Sequence, residues 1–282
     1  MSEVRVMRRI ADELARASGL GIGDGEATAL WAAAAGIKPA EVWLRRESAA
    51  ASDVLPRFWS AVEKRRRGTP FAYAVGSVGF RTLELAIDPR ALIPRPETEG
   101  LVELVLARCC TGVVADIGTG CGCIALSLAV EGDFDRVIAV ERSPAAAALA
   151  RENVQRIAPS TPVEVREGNL LEPLVDKGER CRVIVSNPPY LSAAEYRTLD
   201  ASVADHEPAD ALVSGADGLE ATAAILAGSR ALLEPGGLVA LEIDERRAEA
   251  VRALTLSHGW RNVEIHADLF GCPRYALLRK ED

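Results

Sequence analysis

The chain has 282 residues, 49% of them hydrophobic, which is enough for one full α/β domain and a second, smaller one. No apolar run approaches the ~20 residues of a membrane helix, and Met1-Ser2-Glu3-Val4-Arg5 is not the start of a signal peptide. A cytoplasmic protein with no membrane contact is therefore expected. The formal net charge is −8, and the six cysteines lack Cys-x-x-Cys spacing, so free thiols and no metal site are expected.

From Val4 to about Arg67 the pattern is helical, with Val4, Met7, Ile10, Ala11 and Leu14 recurring at intervals of three and four. Ser18-Gly19-Leu20-Gly21 breaks it, and further helices are predicted near residues 25–35, 39–45 and 51–67. Trp31, Trp43 and Trp59 fall at helical positions and are expected in the core of a small bundle. Lys64-Arg65-Arg66-Arg67 is the one dense cationic run, read as a helix end that complements the dipole. A linking hairpin is predicted around residues 71–86, with Phe80, Leu83 and Leu85 alternating, and residues 89–96 form a loop expected to wrap over a ligand. Strands are then predicted at 111–117, 137–141, 163–166, 182–186, 238–243, 263–266 and 275–279, with helices between them. That is a seven-stranded, doubly wound, Rossmann-like α/β sheet. The predicted organisation is a helical bundle over residues 1–70, a linking hairpin over 71–90 and a catalytic domain over 91–282.

Two strand ends carry chemistry. The run from Val113 to Ile117 enters Gly118-Thr119-Gly120-Cys121-Gly122 and then a helix, so glycines that tolerate positive φ lie at a helix N-terminus beside a strand end. The next strand ends at Glu141, where an acid can hydrogen-bond ribose hydroxyls. A dinucleotide site wants Gly-x-Gly-x-x-Gly, whereas these glycines run Gly-x-Gly-x-Gly and follow the acid Asp116. S-adenosylmethionine has no pyrophosphate to neutralise, and Asp116 can balance the ammonium of its amino-acid end. The spacing therefore favours a methyltransferase over an NAD enzyme.

The second strand end is Asn187-Pro188-Pro189-Tyr190, after the apolar run Val183-Ile184-Val185. Proline cannot extend a ladder, so the strand stops here and leaves an amide, free backbone carbonyls and an aromatic face at a carboxyl end. Such a loop can accept two hydrogen bonds from a planar –NH2 group and stack on it. An amide nitrogen is a poor nucleophile because its lone pair is delocalised. The Asn187 side-chain oxygen and the Pro188 carbonyl can hold it near-tetrahedral and aim it at a sulfonium methyl. No strong base is required, and none of His206, His258 and His266 lies beside the loop in sequence; His206 reads as a solvated loop histidine.

With these motifs in place, the chain resembles the protein-(glutamine-N5) methyltransferases of peptide-chain release factors, the PrmC/HemK family. Leu92-Ile93-Pro94-Arg95-Pro96-Glu97-Thr98-Glu99, Asp116–Gly122 and Asn187–Tyr190 carry the resemblance, in matching order and spacing. It implies that Gly118, Thr119, Gly120, Cys121 and Gly122 line S-adenosylmethionine and that Glu141 binds its ribose. It places Asn187 against both cofactor and substrate, with Pro188, Pro189 and Tyr190 holding the glutamine. Leu170 takes an adenine-flanking position, and Asn169 stands where the family usually has Asp. Gly79 stands where Glu is usual before Phe80, while Asp268–Arg274 keeps the Gly and Arg of its pattern. The implied substrate is the glutamine of a Gly-Gly-Gln loop in a release factor, and a monomer is expected. Related enzymes acting on a ribosomal protein usually carry Ser where this chain has Pro96.

Alternatives remain at this point. Asn-Pro-Pro-Tyr also serves amino methyltransferases acting on adenine in DNA. Residues 1–75 carry 12 basic and 9 acidic side chains, leaving 21 and 32 for the remainder. That acidic balance argues against a catalytic domain that grips nucleic acid directly. A non-catalytic S-adenosylmethionine-binding module has no need of an amide clamp, and an NAD-dependent oxidoreductase is disfavoured by the glycine spacing.

Overall fold

A computed structural model describes residues 8–281, which divide into two compact units between Ser77 and Val78. The first contains α1 (Ile10–Ser18), α2 (Asp24–Ala35), α3 (Pro39–Arg45), α4 (Val54–Arg66) and α5 (Phe71–Val75). Val4 and Met7, at the start of the predicted first helix, lie outside the described residues. Trp31 and Phe58 are buried and meet edge to face with ring centroids 5.0 Å apart. Leu30, Val42 and Val62 belong to the same core. Glu13 is buried among them yet satisfied, accepting from Trp59 Nε1 at 2.8 Å and Arg16 Nη1 at 2.7 Å.

Two expectations are corrected in this unit. Trp43 is 63% exposed and is not a core residue. The short helix α3 buries Val42, and the next residue is rotated ~100° around the axis, out of the core. Residues 71–75, predicted as part of the hairpin, are the helix α5, because Pro70 opens it and Gly76, at φ +79°, closes it. In the cationic run, Arg65 pairs with Glu26, and Arg66 and Arg67 share Glu63.

β1 (Ser77–Phe80) and β2 (Leu83–Ala86) form a two-stranded sheet. The following elements are α6 (Pro96–Leu106), β3 (Val113–Ile117), α7 (Cys123–Glu131), β4 (Arg136–Glu141), α8 (Pro144–Ile157), β5 (Val163–Glu167), α9 (Glu172–Val175) and β6 (Cys181–Ser186). Then come α10 (Ala193–Tyr196), α11 (Ala201–Ala204), α12 (Glu220–Leu232), β7 (Leu233–Glu242), α13 (Ala248–Ser257), β8 (Val263–Ala267) and β9 (Pro273–Arg279). The seven strands β3 to β9 make one sheet in the order β5-β4-β3-β6-β7-β9-β8. Pairs from β5 to β7 are parallel, and β9 runs antiparallel to both of its neighbours. Every predicted strand is present.

Pleating places neighbouring residues of a strand on opposite faces. Ala115 and Ile117 of β3 join a core with Ile225 and Leu226 of α12 and Val251 of α13. Asp116, between them in sequence, meets the first turn of α7 on the other face. Helices thus cover both faces, as a doubly wound sheet requires. The chain builds outward from β3 through β4 to β5, then returns to β6 on the other side of β3. The carboxyl ends of β3 and β6 therefore adjoin at the point where the strand order reverses, which is where open α/β sheets bind ligands. Among the described residues, no helix is long and apolar enough to cross a membrane.

Candidate active site

A cleft of about 1090 Å³ opens at this reversal point. Of the predicted residues, Gly118, Gly120, Glu141, Asn169, Leu170, Asn187 and Pro189 line it. Asp116, Thr119, Cys121, Gly122 and Pro188 are buried beneath or beside that lining, and Tyr190 is half-buried. Gly118 and Gly120 have φ of +73° and +57°, and no atom lies within 4 Å of where a Cβ would stand. The need for glycine there is the backbone conformation, together with open space a bound ligand can approach closely.

The glycine turn is held from two sides. Glu141 accepts from Gly120 N at 2.9 Å through Oε2 and from Ser143 N at 2.8 Å through Oε1. A carboxylate has about four acceptor sites, so Glu141 keeps capacity for a hydroxyl. Beneath the turn, Asp116 Oδ2 accepts from Thr119 Oγ1 at 2.6 Å and Ala125 N at 3.2 Å. Its Oδ1 is buried without a partner. Burial pushes this carboxyl up to about 7, against the lowering effect of its two hydrogen bonds. A buried carboxylate with one orphaned oxygen is a site that a cationic group would satisfy.

Several contributors escaped the sequence reading. Asn153, fully buried in α8, donates to Cys121 O and Ala86 O and accepts from Ala86 N, all within 2.9 Å. It ties the glycine turn to the end of β2, beyond which Arg90, Ala91 and Leu92 line the cleft. The opposite wall is the segment 208–215, fixed where Leu191 N donates to Leu212 O and Ser214 N to Leu191 O. Glu207, just before it, is buried against Arg95 at 2.9 Å. His206 is half-buried, with an unpartnered Nδ1, and so departs from the solvated loop reading. Leu170 adopts φ +48°, an uncommon conformation for a bulky residue and one that concentrates at ligand sites. Asn169 turns its amide toward Glu172. Gly79 is exposed and not part of the cleft lining.

Comparison with known proteins agrees with this architecture. The model of the PrmC N-terminal domain matches residues 6–76, and that of the Methyltransferase small domain matches residues 97–216. A release factor glutamine methyltransferase of Moorella thermoacetica is 40% identical over 243 residues, covering 84% of this chain and 85% of its own. The chain belongs to the release factor glutamine methyltransferase family. A member from Cereibacter sphaeroides is 37% identical over 254 residues and is covered, like this chain, to 90%. The fold is also that of a methyltransferase from Pyrococcus furiosus, with a TM-score of 0.53 at 19% identity, covering 82% of this chain and 100% of that one.

In this methyltransferase the amide loop is braced by residues far away in sequence. Asn187 Nδ2 donates to Thr98 Oγ1 at 3.1 Å, and Thr98 Oγ1 donates to Glu242 Oε2 at 2.7 Å. Ser186 Oγ, one residue before the loop, donates to Ile117 O at 2.6 Å and pins β6 to β3 at their carboxyl ends. Tyr275 Oη donates to Glu97 O at 2.6 Å and holds the start of α6 in register with β9. In the segment 268–274, Asp268 accepts from Phe270 N, Cys272 N and Arg274 Nε at 2.9 to 3.2 Å, which closes the β8–β9 connection.

Proposed function

We propose that this enzyme transfers a methyl group from S-adenosylmethionine to the side-chain amide nitrogen of the glutamine in a Gly-Gly-Gln loop of a peptide-chain release factor. The observation that carries the reading is the meeting, in one cleft, of the Gly118–Gly122 turn with Glu141 on one side and the Asn187 amide on the other. Family membership supplies the substrate class.

The fit of the cofactor rests on two features: the orphaned Oδ1 of Asp116 beneath the turn, and the open space over Gly118 and Gly120. In this reading Asp116 balances the ammonium and Glu141 accepts from the ribose, while Asn169 and Leu170 flank the adenine. Thr119, Cys121 and Gly122 shape the turn. S-adenosylmethionine supplies, when bound, an electrophilic methyl on a sulfonium. The remaining work belongs to the chain. Asn187 Oδ1 and the Pro188 carbonyl accept the two N–H bonds of the glutamine amide, while Pro189 and Tyr190 wall its side chain. Positioning of this kind is worth ~7–11 kcal/mol when the reacting atoms are well aligned. The methylated nitrogen is acidic and loses its proton to water, so a dedicated base is unnecessary.

The reading extends to a cytoplasmic enzyme acting as a monomer, with the helical bundle of residues 1–70 engaging the protein partner. It includes no direct grip on nucleic acid, in keeping with the 21 basic and 32 acidic side chains after residue 75. The test is to mix the purified protein with S-adenosylmethionine and a bacterial release factor and to map the product by peptide mass spectrometry. One added methyl on the Gly-Gly-Gln glutamine is expected. Methylation of a DNA control alone would overturn the substrate assignment while leaving the cofactor argument standing.

A further inference from the structure

Asn187 must present an acceptor, not a donor, to a substrate amide that is itself all donors on nitrogen. An asparagine side chain can be turned over with little steric consequence, so something has to select the orientation. The neighbouring hydroxyl supplies that selection. An ionised carboxylate only accepts, so Thr98 has to spend its single proton on Glu242, which it reaches at 2.7 Å. Toward Asn187, 3.1 Å away, the Thr98 oxygen can then only accept. The group facing it is therefore the NH2 of Asn187, and Oδ1 is turned away from Thr98.

We propose that Thr98 and Glu242 are positioning residues that select the acceptor orientation of the Asn187 amide. The inference rests on the methyltransferase reading of the Asn187 loop and adds to it the device that keeps the loop competent. The three side chains come from the start of α6, the loop after β6 and the end of β7. The strand register that pairs Ser186 with Leu241 brings the last two together. Glu242 is 2% exposed, so its orientation is set by protein partners and not by bulk water.

Such a relay has a polarity that acid can reverse. Burial pushes Glu242 up to about 7. Thr98 and the nearby Arg274 and Arg95 work against that rise, while Glu97 reinforces it. Tyr190 and Tyr275 also face this carboxyl, each raised mainly by burial and secondarily by Glu242 itself. Once protonated, Glu242 can donate to the Thr98 oxygen, which frees the Thr98 proton to point at Asn187. Only Oδ1 can receive it, so the amide turns over and offers NH2 to the substrate. The acceptor state thus requires the ionised carboxylate, and turnover falls as pH drops through the range where Glu242 takes up its proton.

The experiment compares Thr98→Val, Thr98→Ser and Glu242→Gln in the full chain, with methylation of a release factor followed at saturating S-adenosylmethionine. Thr98→Val keeps the shape and removes the hydroxyl, so kcat should fall by about 10- to 100-fold, the scale of a misplaced reacting group. KM for the release factor and calorimetric affinity for S-adenosylmethionine should change little, which separates the loss from misfolding. Thr98→Ser should restore most of kcat. Glu242→Gln should remove the acidic limb of the kcat profile. The proposal fails if Thr98→Val keeps kcat within about twofold, a change below that scale. It also fails if Ser does not restore kcat or if Glu242→Gln leaves the acidic limb in place. An unsubstituted enzyme that leaves the release factor unmethylated would instead sink the functional reading, and the relay with it.

Discussion

Replacing Asp116 by Asn separates what this carboxylate does to the fold from what it does for the cofactor. The carboxyl is fully buried and pushed from its ordinary 3.8 to about 7, with burial as the largest cause. At 1.36 kcal/mol per pH unit, an ionised Asp116 destabilises the ligand-free fold by about 4 kcal/mol at pH 8. The sign follows from the protons bound. Between the two pKa values the folded chain holds a proton that the unfolded chain has lost, so this contribution to stability falls as pH rises toward 7. At pH 5 the folded group is neutral and the penalty shrinks to roughly 1.5 kcal/mol. An Asn keeps an acceptor for Thr119 and Ala125 but places an unpaired NH2 where Oδ1 was, at a cost of about 1–3 kcal/mol. The variant should therefore be more stable than the parent at pH 8, with an advantage that shrinks by roughly 3 kcal/mol on moving to pH 5. Urea denaturation of both ligand-free proteins at the two pH values measures this, and comparing them cancels the similar contribution of Glu242. Calorimetric titration with S-adenosylmethionine should show the opposite preference, an affinity reduced about 10- to 100-fold by loss of a charge-assisted contact. An advantage independent of pH would refute the desolvated carboxylate. Unchanged affinity would refute its pairing with the cofactor's ammonium.

Three further substitutions probe other parts of the molecule. Asn187→Ala should lower kcat by about 100-fold or more while S-adenosylmethionine affinity stays within severalfold, because only the aligned amide is lost; turnover near the parent rate would sink the amide clamp. Glu141→Ala strips the acceptor from Gly120 N and Ser143 N as well as from the ribose. Cofactor affinity, read by calorimetry, should weaken about 10- to 100-fold. Glu13→Ala leaves Trp59 Nε1 without its 2.8 Å partner inside the helical unit, and thermal unfolding should register a loss of about 2–4 kcal/mol. An unaltered unfolding transition would mean that Glu13 is dispensable to this core.

What the sequence disclosed, and what it hid, follows from how far apart the determinants lie. All seven strands of the sheet were legible from short patterns: β3, β4, β6, β7 and β9 contain apolar runs, as buried strands do, whereas β5 and β8 alternate apolar with polar residues. The fifth of them, β7, differs most at its start. β7 begins at Leu233, whereas Pro235-Gly236-Gly237 reads locally as a breaker and delays the predicted start to Leu238. The structure accommodates the three residues through a register irregularity opposite Cys181 and Val183, a device that composition does not announce. Trp43 was misread for a related reason. Val42, Trp43 and Leu44 are consecutive and apolar, but a helix has one inward face, and only packing against α2 decides which of the three receives it.

The same division runs through the active site. Residues whose contribution is made by their own backbone, such as Gly118, Gly120, Pro188 and Pro189, announce themselves, because the conformations they permit or forbid are local properties. Glu141 and Asn187 could be found as well, since the carboxyl end of a strand is a place that the sequence marks. Thr98 and Glu242 could not: the residues are 144 apart in sequence, and neither is unusual for its surroundings. Glu242 reads as the polar end of an apolar strand and Thr98 as a helix-start residue. Their meaning arises only when β7 lies beside β6 and α6 begins above both. A carboxylate that is 2% exposed at a sheet's functional edge is held there against a desolvation penalty, and it accepts from Thr98, which in turn faces the one amide that must not turn over. A residue that merely filled space at that position would be apolar.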